Sequence, residues 1–145
     1  MKHRMVIATL SLIGFFVALY LLLWKVGVLG SLACGTGGCE MVQTSKYAEF
    51  FGLPVALYGM LGYLALLVVS LLGLQPRWVM HRWPTLGLTV LAALGVAFTA
   101  YLTYLEAAVI HAWCQWCLVS AGIIVAILVA AVVGLRALGH TPSVQ

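Results

Sequence analysis

Charge is what this sequence lacks most. Only 7 % of its 145 residues are Asp, Glu, Lys or Arg, and it contains no Asp and no Asn. A soluble domain carries about 25 % charged residues, which cover its water-exposed surface. A soluble enzyme or a disordered tail is therefore not expected, and no nucleic-acid partner is expected because the seven basic residues never cluster. With 65 % apolar residues, the composition is that of an integral membrane protein in a lipid bilayer.

Long uncharged runs predict where the chain crosses the membrane. A helix needs about 20 apolar residues to cross a hydrocarbon core of about 30 Å. The runs predict an all-α, four-transmembrane-helix bundle that forms a single domain over residues 1–145. Pro54 and Pro84 fall at the starts of two spans, where a proline is tolerated because its missing N–H would have no partner. The predicted spans are about 5–25, 54–74, 84–107 and 113–135, with an outer loop over 26–53.

The basic residues predict the orientation of the bundle. With the N-terminus inside, five Lys/Arg are cytoplasmic and two are outside, in agreement with the positive-inside rule. Both termini are then cytoplasmic. A cleaved signal peptide is the alternative, but the first apolar run, of about 20 residues, is longer than such a segment needs. The cytoplasmic basic residues are Lys2, Arg4, Arg77, Arg82 and Arg136, and the outer two are Lys25 and Lys46.

All four cysteines face outward in this topology. Cys34 and Cys39 lie in the glycine-rich outer loop, and Cys114 and Cys117 form C-Q-W-C at the start of the fourth span. Two structural disulfides would close short loops and stabilise the bundle little. A zinc site with four thiolate ligands would leave the membrane spans unexplained, so no metal is expected. Both alternatives stay open, but redox chemistry accounts for more of the pattern.

The C-Q-W-C pair has the spacing of a redox-active dithiol. At i and i+3 in a first helical turn, Cys114 and Cys117 lie on one face, where unpaired N–H groups and the helix dipole favour a thiolate. Cys117 lies about 4.5 Å deeper along the helix, at a rise of about 1.5 Å per residue, so a lipid-soluble oxidant would meet it first. The glycines between Cys34 and Cys39 suit a mobile carrier. We interpret the cysteines as a relay from an external dithiol to a diffusible quinone.

Three segments carry a family resemblance. CEMVQTSKYAEFFGLPVALYGMLGY, YLTYLE and HAWCQWC together resemble the vitamin K epoxide reductase (VKOR) family in its bacterial form, over about residues 5–135. The resemblance implies a four-helix bundle around a quinone. It also implies a short interfacial helix, over about residues 40–51, that covers the mouth of the bundle.

The same resemblance implies roles for single residues. Cys34 would exchange with a partner protein. Cys39 would then attack Cys114, and Cys117 would be the thiolate next to the quinone. Ser45 matches a family Ser/Thr position near the quinone head group, to which its hydroxyl can donate a hydrogen bond. A bond from Ser45 to its own helix backbone is the alternative.

The implied function is that of a membrane thiol-disulfide oxidoreductase, analogous to DsbB, in the inner membrane of a bacterial-type cell. It would oxidise a thioredoxin-like or DsbA-like protein and reduce ubiquinone, menaquinone or a vitamin K-type quinone, and so drive disulfide formation. Because no thioredoxin-like domain is fused before Gln145, the partner is expected to be separate. Vitamin K epoxide reduction is an alternative, although Ala121 stands where the animal enzymes have Tyr. A non-enzymatic membrane bundle with structural disulfides is the second alternative.

Several further positions have two interpretations. Tyr58, one turn into the second span, either lines the quinone pocket or only packs. Glu106 ends the third span, and we expect it to be solvated rather than to transfer protons. His111 is expected to be an interfacial histidine without a role at the thiols. A stripe of small residues on the third span is expected to pack closely against a neighbouring helix rather than to form a functional groove; its members are Gly95, Thr99 and Thr103.

Overall fold

Helices make up most of the protein. The computed structural model describes residues 2–27, 49–50, 52–77, 81–111 and 115–140. Two short strands, β1 (Glu49–Phe50) and β2 (Leu53–Pro54), lie between the first two helices, and a π-helix over Leu105–Ile110 continues directly from the third. The four α-helices are α1 (Lys2–Lys25), α2 (Val55–Gly73), α3 (Trp83–Tyr104) and α4 (Gln115–His140).

Within the described residues, four helical segments are long and apolar enough to cross a membrane. The four-span prediction is therefore confirmed, and every predicted end lies within three residues of the observed one. Pro54 is the N-cap of α2, and Pro84 lies in the first turn of α3, as expected for a residue that cannot donate a backbone hydrogen bond. The spans are Lys2–Lys25, Val55–Gly73, Trp83–Val109 and Gln115–Ala137.

The helices pack in a ring. α1 contacts α2 and α4, and α3 closes the ring by contacting the same two helices from the other side. Fully buried apolar side chains fill the centre, among them Ile7, Leu88 and Ile127. Large apolar side chains also point outward, as Leu94 does with 64 % of its surface exposed. Such a surface suits a bundle surrounded by lipid rather than by water.

The segment before α2 contains a tight antiparallel turn. Glu49 pairs with Pro54 and Phe50 pairs with Leu53. Gly52 lies in the turn with φ +78°, a backbone conformation that glycine adopts without strain. The interfacial helix expected over about 40–51 is therefore wrong for Glu49 and Phe50, because their backbone groups pair across the turn. The rest of that expected helix lies outside the described residues.

A buried arginine joins three helices at one end of the bundle, which we call the Arg4 end. Arg4 is 1 % exposed. Its Nη1 donates to Gly73 O at 2.5 Å, and its Nη2 donates to His81 O at 2.7 Å. Nε and Nη2 also donate to Thr85 Oγ1, at 3.3 and 3.2 Å. Gly73 O is one of the terminal carbonyls that a helix leaves without an intrahelical partner, so the cation stabilises the end of α2.

Small residues allow this close approach. A Cβ on Gly73 would lie 2.8 Å from Pro84 Cβ and 3.1 Å from Arg4 Cδ, so only glycine fits between the two. His3 Nε2 lies 3.1 Å from Thr85 Oγ1, and a Cβ on Gly134 would overlap the His3 ring. The first turn of α1 therefore contacts all three other helices. The same contacts show that α1 and α3 begin where α2 and α4 end.

We predict that Arg4→Leu lowers the free energy of unfolding by about 2–4 kcal/mol. It removes charge-assisted hydrogen bonds and leaves buried acceptors without a donor. Arg4→Lys should recover only part of this loss, because an ammonium cannot reproduce the planar fork of a guanidinium. The measurement is unfolding by a denaturing detergent in mixed micelles.

Lys2→Gln is the matched control for Arg4→Leu, because Lys2 is basic, near in sequence and exposed. It should change the stability by less than about 0.5 kcal/mol. Equal stability of the two variants would contradict a structural role for the buried arginine.

Candidate functional site

A cavity of about 160 Å³ lies between the helices at the end opposite Arg4. Its wall comes from the second half of α1, the first half of α2, the second half of α3 with the π-helix, and the first half of α4. Because the helices alternate in direction, these four halves meet at one end of the bundle. Most of the wall is apolar or glycine. The polar residues on it are Tyr58, Tyr63, Thr99, Thr103, Glu106, Cys117 and Ser120.

Cys117 brings a thiol to this cavity. It is the third residue of α4 and is half-buried. Leu21 of α1 and Ala56 of α2 are both buried in an apolar cluster against which Cys117 packs. The first turn of a helix also carries backbone N–H groups without intrahelical partners. The thiol therefore lies between apolar side chains of two helices, next to the positive end of its own helix dipole.

An aromatic pair lies beside the thiol. The rings of Tyr20 and Trp116 have centroids 5.2 Å apart, at an interplanar angle of 44°. Both side chains pack against the same cluster as Cys117. The pair therefore joins α1 to the start of α4, next to the apolar cluster that packs against Cys117.

Only part of the expected site falls within the described residues. Cys117 and Tyr58 line the same cavity. Cys34, Cys39, Ser45 and Cys114 lie outside the described residues, so their roles stay predictions. The position of Cys117 on the cavity wall is compatible with its prediction as the deeper thiol of the pair.

A hydrogen bond between α2 and α4 was not expected from the sequence. The Tyr63 hydroxyl lies 2.9 Å from Ser120 O and 2.8 Å from Ser120 Oγ. Tyr63 is 4 % exposed, and its ring covers Gly14 of α1 so closely that a Cβ there would overlap it. The phenol therefore connects three helices on the wall of the cavity. The sequence feature that could have indicated this bond is a tyrosine within an otherwise apolar span, one helical turn after Gly59.

Glu106 is buried rather than solvated, so the expectation for this residue was wrong. It is 2 % exposed and lies on the cavity wall, in the π-helix that continues α3. The reason is helical periodicity. Gly95, Thr99 and Leu102 line the cavity from one face of α3, and a further step of four residues from Leu102 reaches Glu106. The chain continues as a helix past Tyr104, and this carries the carboxyl inward instead of into water.

The π-helix ends at a residue in an unusual conformation. His111 has φ 59° and ψ 35°, in the left-handed region, and its N–H bonds to Glu106 O. Single π-helical turns inside helices are frequent at functional sites. His111 itself is exposed, which agrees with an interfacial histidine.

The stripe of small residues on α3 both packs and lines the cavity. A Cβ on Gly95 would lie 2.9 Å from Ile124 Cγ1, so α3 and α4 approach closely there. Thr99 and Thr103, one and two turns farther on, lie on the cavity wall. The stripe therefore packs closely against α4, as expected, and also forms part of the cavity wall.

The sequence model of the vitamin K epoxide reductase family matches residues 5–132. The match runs from the first turn of α1 into the last third of α4, so it covers all four spans. The chain belongs to this family, which confirms the resemblance. It is therefore a multi-pass membrane protein and an oxidoreductase, of a family that generally uses quinone-type electron carriers.

We predict that Gly14→Ala destabilises the protein by about 1–3 kcal/mol, because the new methyl group displaces the Tyr63 ring from its bond to Ser120. Gly122→Ala is the control, since a Cβ at Gly122 meets no atom within 4 Å. It should leave the stability unchanged or raise it by up to about 1 kcal/mol. The measurement is detergent unfolding of both variants.

A double-mutant cycle identifies the clash. In a Tyr63→Leu background, Gly14→Ala should cost less than in the parent protein, because the overlapping ring is gone. An equal cost in both backgrounds would show that the destabilisation has another origin.

Proposed function

We propose that this protein is a quinone-dependent thiol oxidoreductase that drives disulfide formation. It takes two electrons from a separate thioredoxin-like or DsbA-like dithiol protein and passes them through its cysteines to a quinone. The observation that carries the proposal is the position of Cys117, in the first turn of α4 on the wall of an apolar cavity within the spans. A thiol at that position is accessible to an acceptor dissolved in the bilayer.

The size and lining of the cavity suit a quinone ring. Its volume of about 160 Å³ is close to that of an engineered apolar cavity, about 150 Å³, that holds one benzene molecule. Tyr58, Thr99 and Thr103 present hydroxyls on the wall, and a hydroxyl can donate to a carbonyl oxygen of the ring. Tyr58 is thus one proposed contact of the quinone, and Ser45 is the other. The tail of ubiquinone, menaquinone or a vitamin K-type quinone would extend between the helices into lipid.

The cysteines divide the reaction into two disulfide exchanges and one redox step. Cys34 exchanges with the partner's disulfide-forming thiols, and Cys39 reduces the Cys114–Cys117 pair. Each exchange breaks one S–S bond and forms another, so no electrons are lost. Cys117 then delivers the electron pair. Overall, a dithiol loses two electrons and two protons and becomes a disulfide. The quinone takes up the same two electrons and two protons and becomes a hydroquinone.

The orientation we propose places the cavity end outside the cytoplasm. Exposed basic residues surround the opposite end of the bundle, namely Lys2, Arg77, Arg82 and Arg136. The positive-inside rule favours the cytoplasm for that end. The thiols would then lie on the oxidising side, where disulfides persist.

We predict that Cys117→Ala abolishes quinone reduction by any dithiol, because the sulfur that delivers the electrons is missing. Cys34→Ala should abolish turnover with a thioredoxin-like partner but spare turnover with a small dithiol that reaches Cys114 directly. The measurement is the loss of quinone absorbance with purified protein in detergent or nanodiscs.

Three outcomes separate the alternatives. Full activity of Cys117→Ala would contradict the relay. Faster turnover of a vitamin K epoxide than of quinones would favour epoxide reduction. Absence of all quinone turnover in the parent protein would favour a bundle with structural disulfides.

We predict that membrane-impermeant thiol reagents label the reduced cysteines from the extracytoplasmic side of oriented vesicles. A single cysteine introduced at exposed Arg136, in a variant without the native cysteines, should be labelled only from the other side. Labelling of the native cysteines from the cytoplasmic side would overturn the proposed orientation.

A further inference from the structure

Glu106 stands apart from the rest of the cavity wall. Its carboxyl is the only acidic or basic group on the described wall, and its side chain is 2 % exposed. The other polar groups there are hydroxyls and the Cys117 thiol. An ionisable residue inside a membrane span is costly to insert and is by default a functional candidate. A carboxyl differs from the hydroxyls in chemistry, because carboxyl side chains serve as general acids and bases in enzymes.

The proposed reduction of quinone in the cavity needs a proton donor. A quinone that accepts two electrons also takes two protons, and it does so at a site lined mainly by apolar residues. The protons originate on the sulfurs of the cysteine pair, whereas they are needed on the two ring oxygens. A proton-carrying side chain on the cavity wall, close to both Cys117 and the quinone, could transfer one of these protons directly. Glu106 shares that wall.

We propose that Glu106 is the general acid of quinone reduction, an inference that rests on the proposed function. In its acid form, Glu106 gives its proton to one ring oxygen as the electron pair leaves the cysteine sulfurs. Formation of the S–S bond releases the Cys114 proton, which Glu106 takes up to return to its acid form. The second ring oxygen takes the proton that Cys117 gave up when it became the thiolate. Two S–H bonds are broken, one S–S and two O–H bonds are formed, and the carboxyl ends as it began.

The π-helix suits this role. Its widened turn lies at the carboxyl itself, and the backbone carbonyl of Glu106 holds the left-handed His111 at the helix end. Glu106 thus lies in the short π-helix that leads from the cavity wall towards the start of α4. Gly95, Thr99 and Leu102 lie on the cavity wall along the same face of α3 that leads to Glu106.

Infrared spectroscopy of the quinone-free protein tests the proposal without turnover. The chain has only three acidic side chains, at Glu40, Glu49 and Glu106, so its carboxyl region is simple. We expect a protonated-carboxyl C=O band that shifts when the cysteine pair is oxidised and shifts again when a quinone is added. The band should be absent from Glu106→Gln and present in the control Glu49→Gln. A parent spectrum without any such band, or a band that survives Glu106→Gln, would overturn the proposal.

Single-turnover kinetics test the same residue in the reaction. With saturating quinone, Glu106→Gln should slow quinone reduction by about 100-fold or more, the usual range for loss of a general acid. Reduction of its Cys114–Cys117 disulfide by a small dithiol, followed by thiol alkylation, should stay within twofold of the parent rate. An unchanged detergent-unfolding transition of Glu106→Gln shows that the variant is folded. Glu106→Asp keeps a carboxyl and should be slowed less than Glu106→Gln.

Tyr104→Phe is the matched control, because Tyr104 lies two residues away and is 63 % exposed. It should react at the parent rate. If Glu106→Gln also reduces quinone at the parent rate, the proposal for Glu106 is wrong while the proposed function stands. If the parent protein reduces no quinone, the proposed function fails, and the infrared band alone then decides whether Glu106 holds a proton next to the thiols.

Discussion

The structure depends on one buried guanidinium. Arg4 donates to oxygens of Gly73, His81 and Thr85, so a single side chain joins the start of α1 to the end of α2 and the start of α3. In a low-dielectric interior such charge-assisted bonds are strong, and a carbonyl left without a donor is costly. The approach is possible only because no Cβ fits at Gly73. These bonds hold the helices together at one end, where hydrophobic attraction between helices in lipid would contribute little.

Closure at the Arg4 end leaves room at the other. A Cβ on Gly62, which lies on the cavity wall, would meet no atom within 4 Å. The Tyr63 hydroxyl bond to Ser120 connects α2 and α4 on the same wall. The cavity that results contains Cys117 and Glu106, the two described groups that can take part in electron and proton transfer. The buried arginine thus lies at one end of the bundle and the cavity at the other.

Much of the fold could be predicted because hydrophobicity acts locally. Any uncharged run of sufficient length favours the membrane whatever its neighbours are, so four spans and their ends followed from the positions of a few charged residues and prolines. The family resemblance could also be seen in the sequence, because it rests on short motifs of adjacent residues. The strand pair at Glu49–Phe50 was missed because it depends on a turn at Gly52. The burial of Glu106 was missed because the sequence does not distinguish an acidic residue at a span end that points inward from one that points into water.

By itself, the sequence determined the class of the protein, the number of helices, the family and the residues that carry thiols, since each depends on composition or on adjacent residues. Which side chains meet was decided only by the tertiary structure, because α-helices with apolar residues on every side have no face that the sequence marks as inward. Arg4 counts as a surface charge in sequence but lies inside. Tyr63 and Ser120, 57 residues apart, meet only because α2 and α4 face the same cavity. The inward carboxyl of Glu106 likewise follows from how α3 is rotated within the ring.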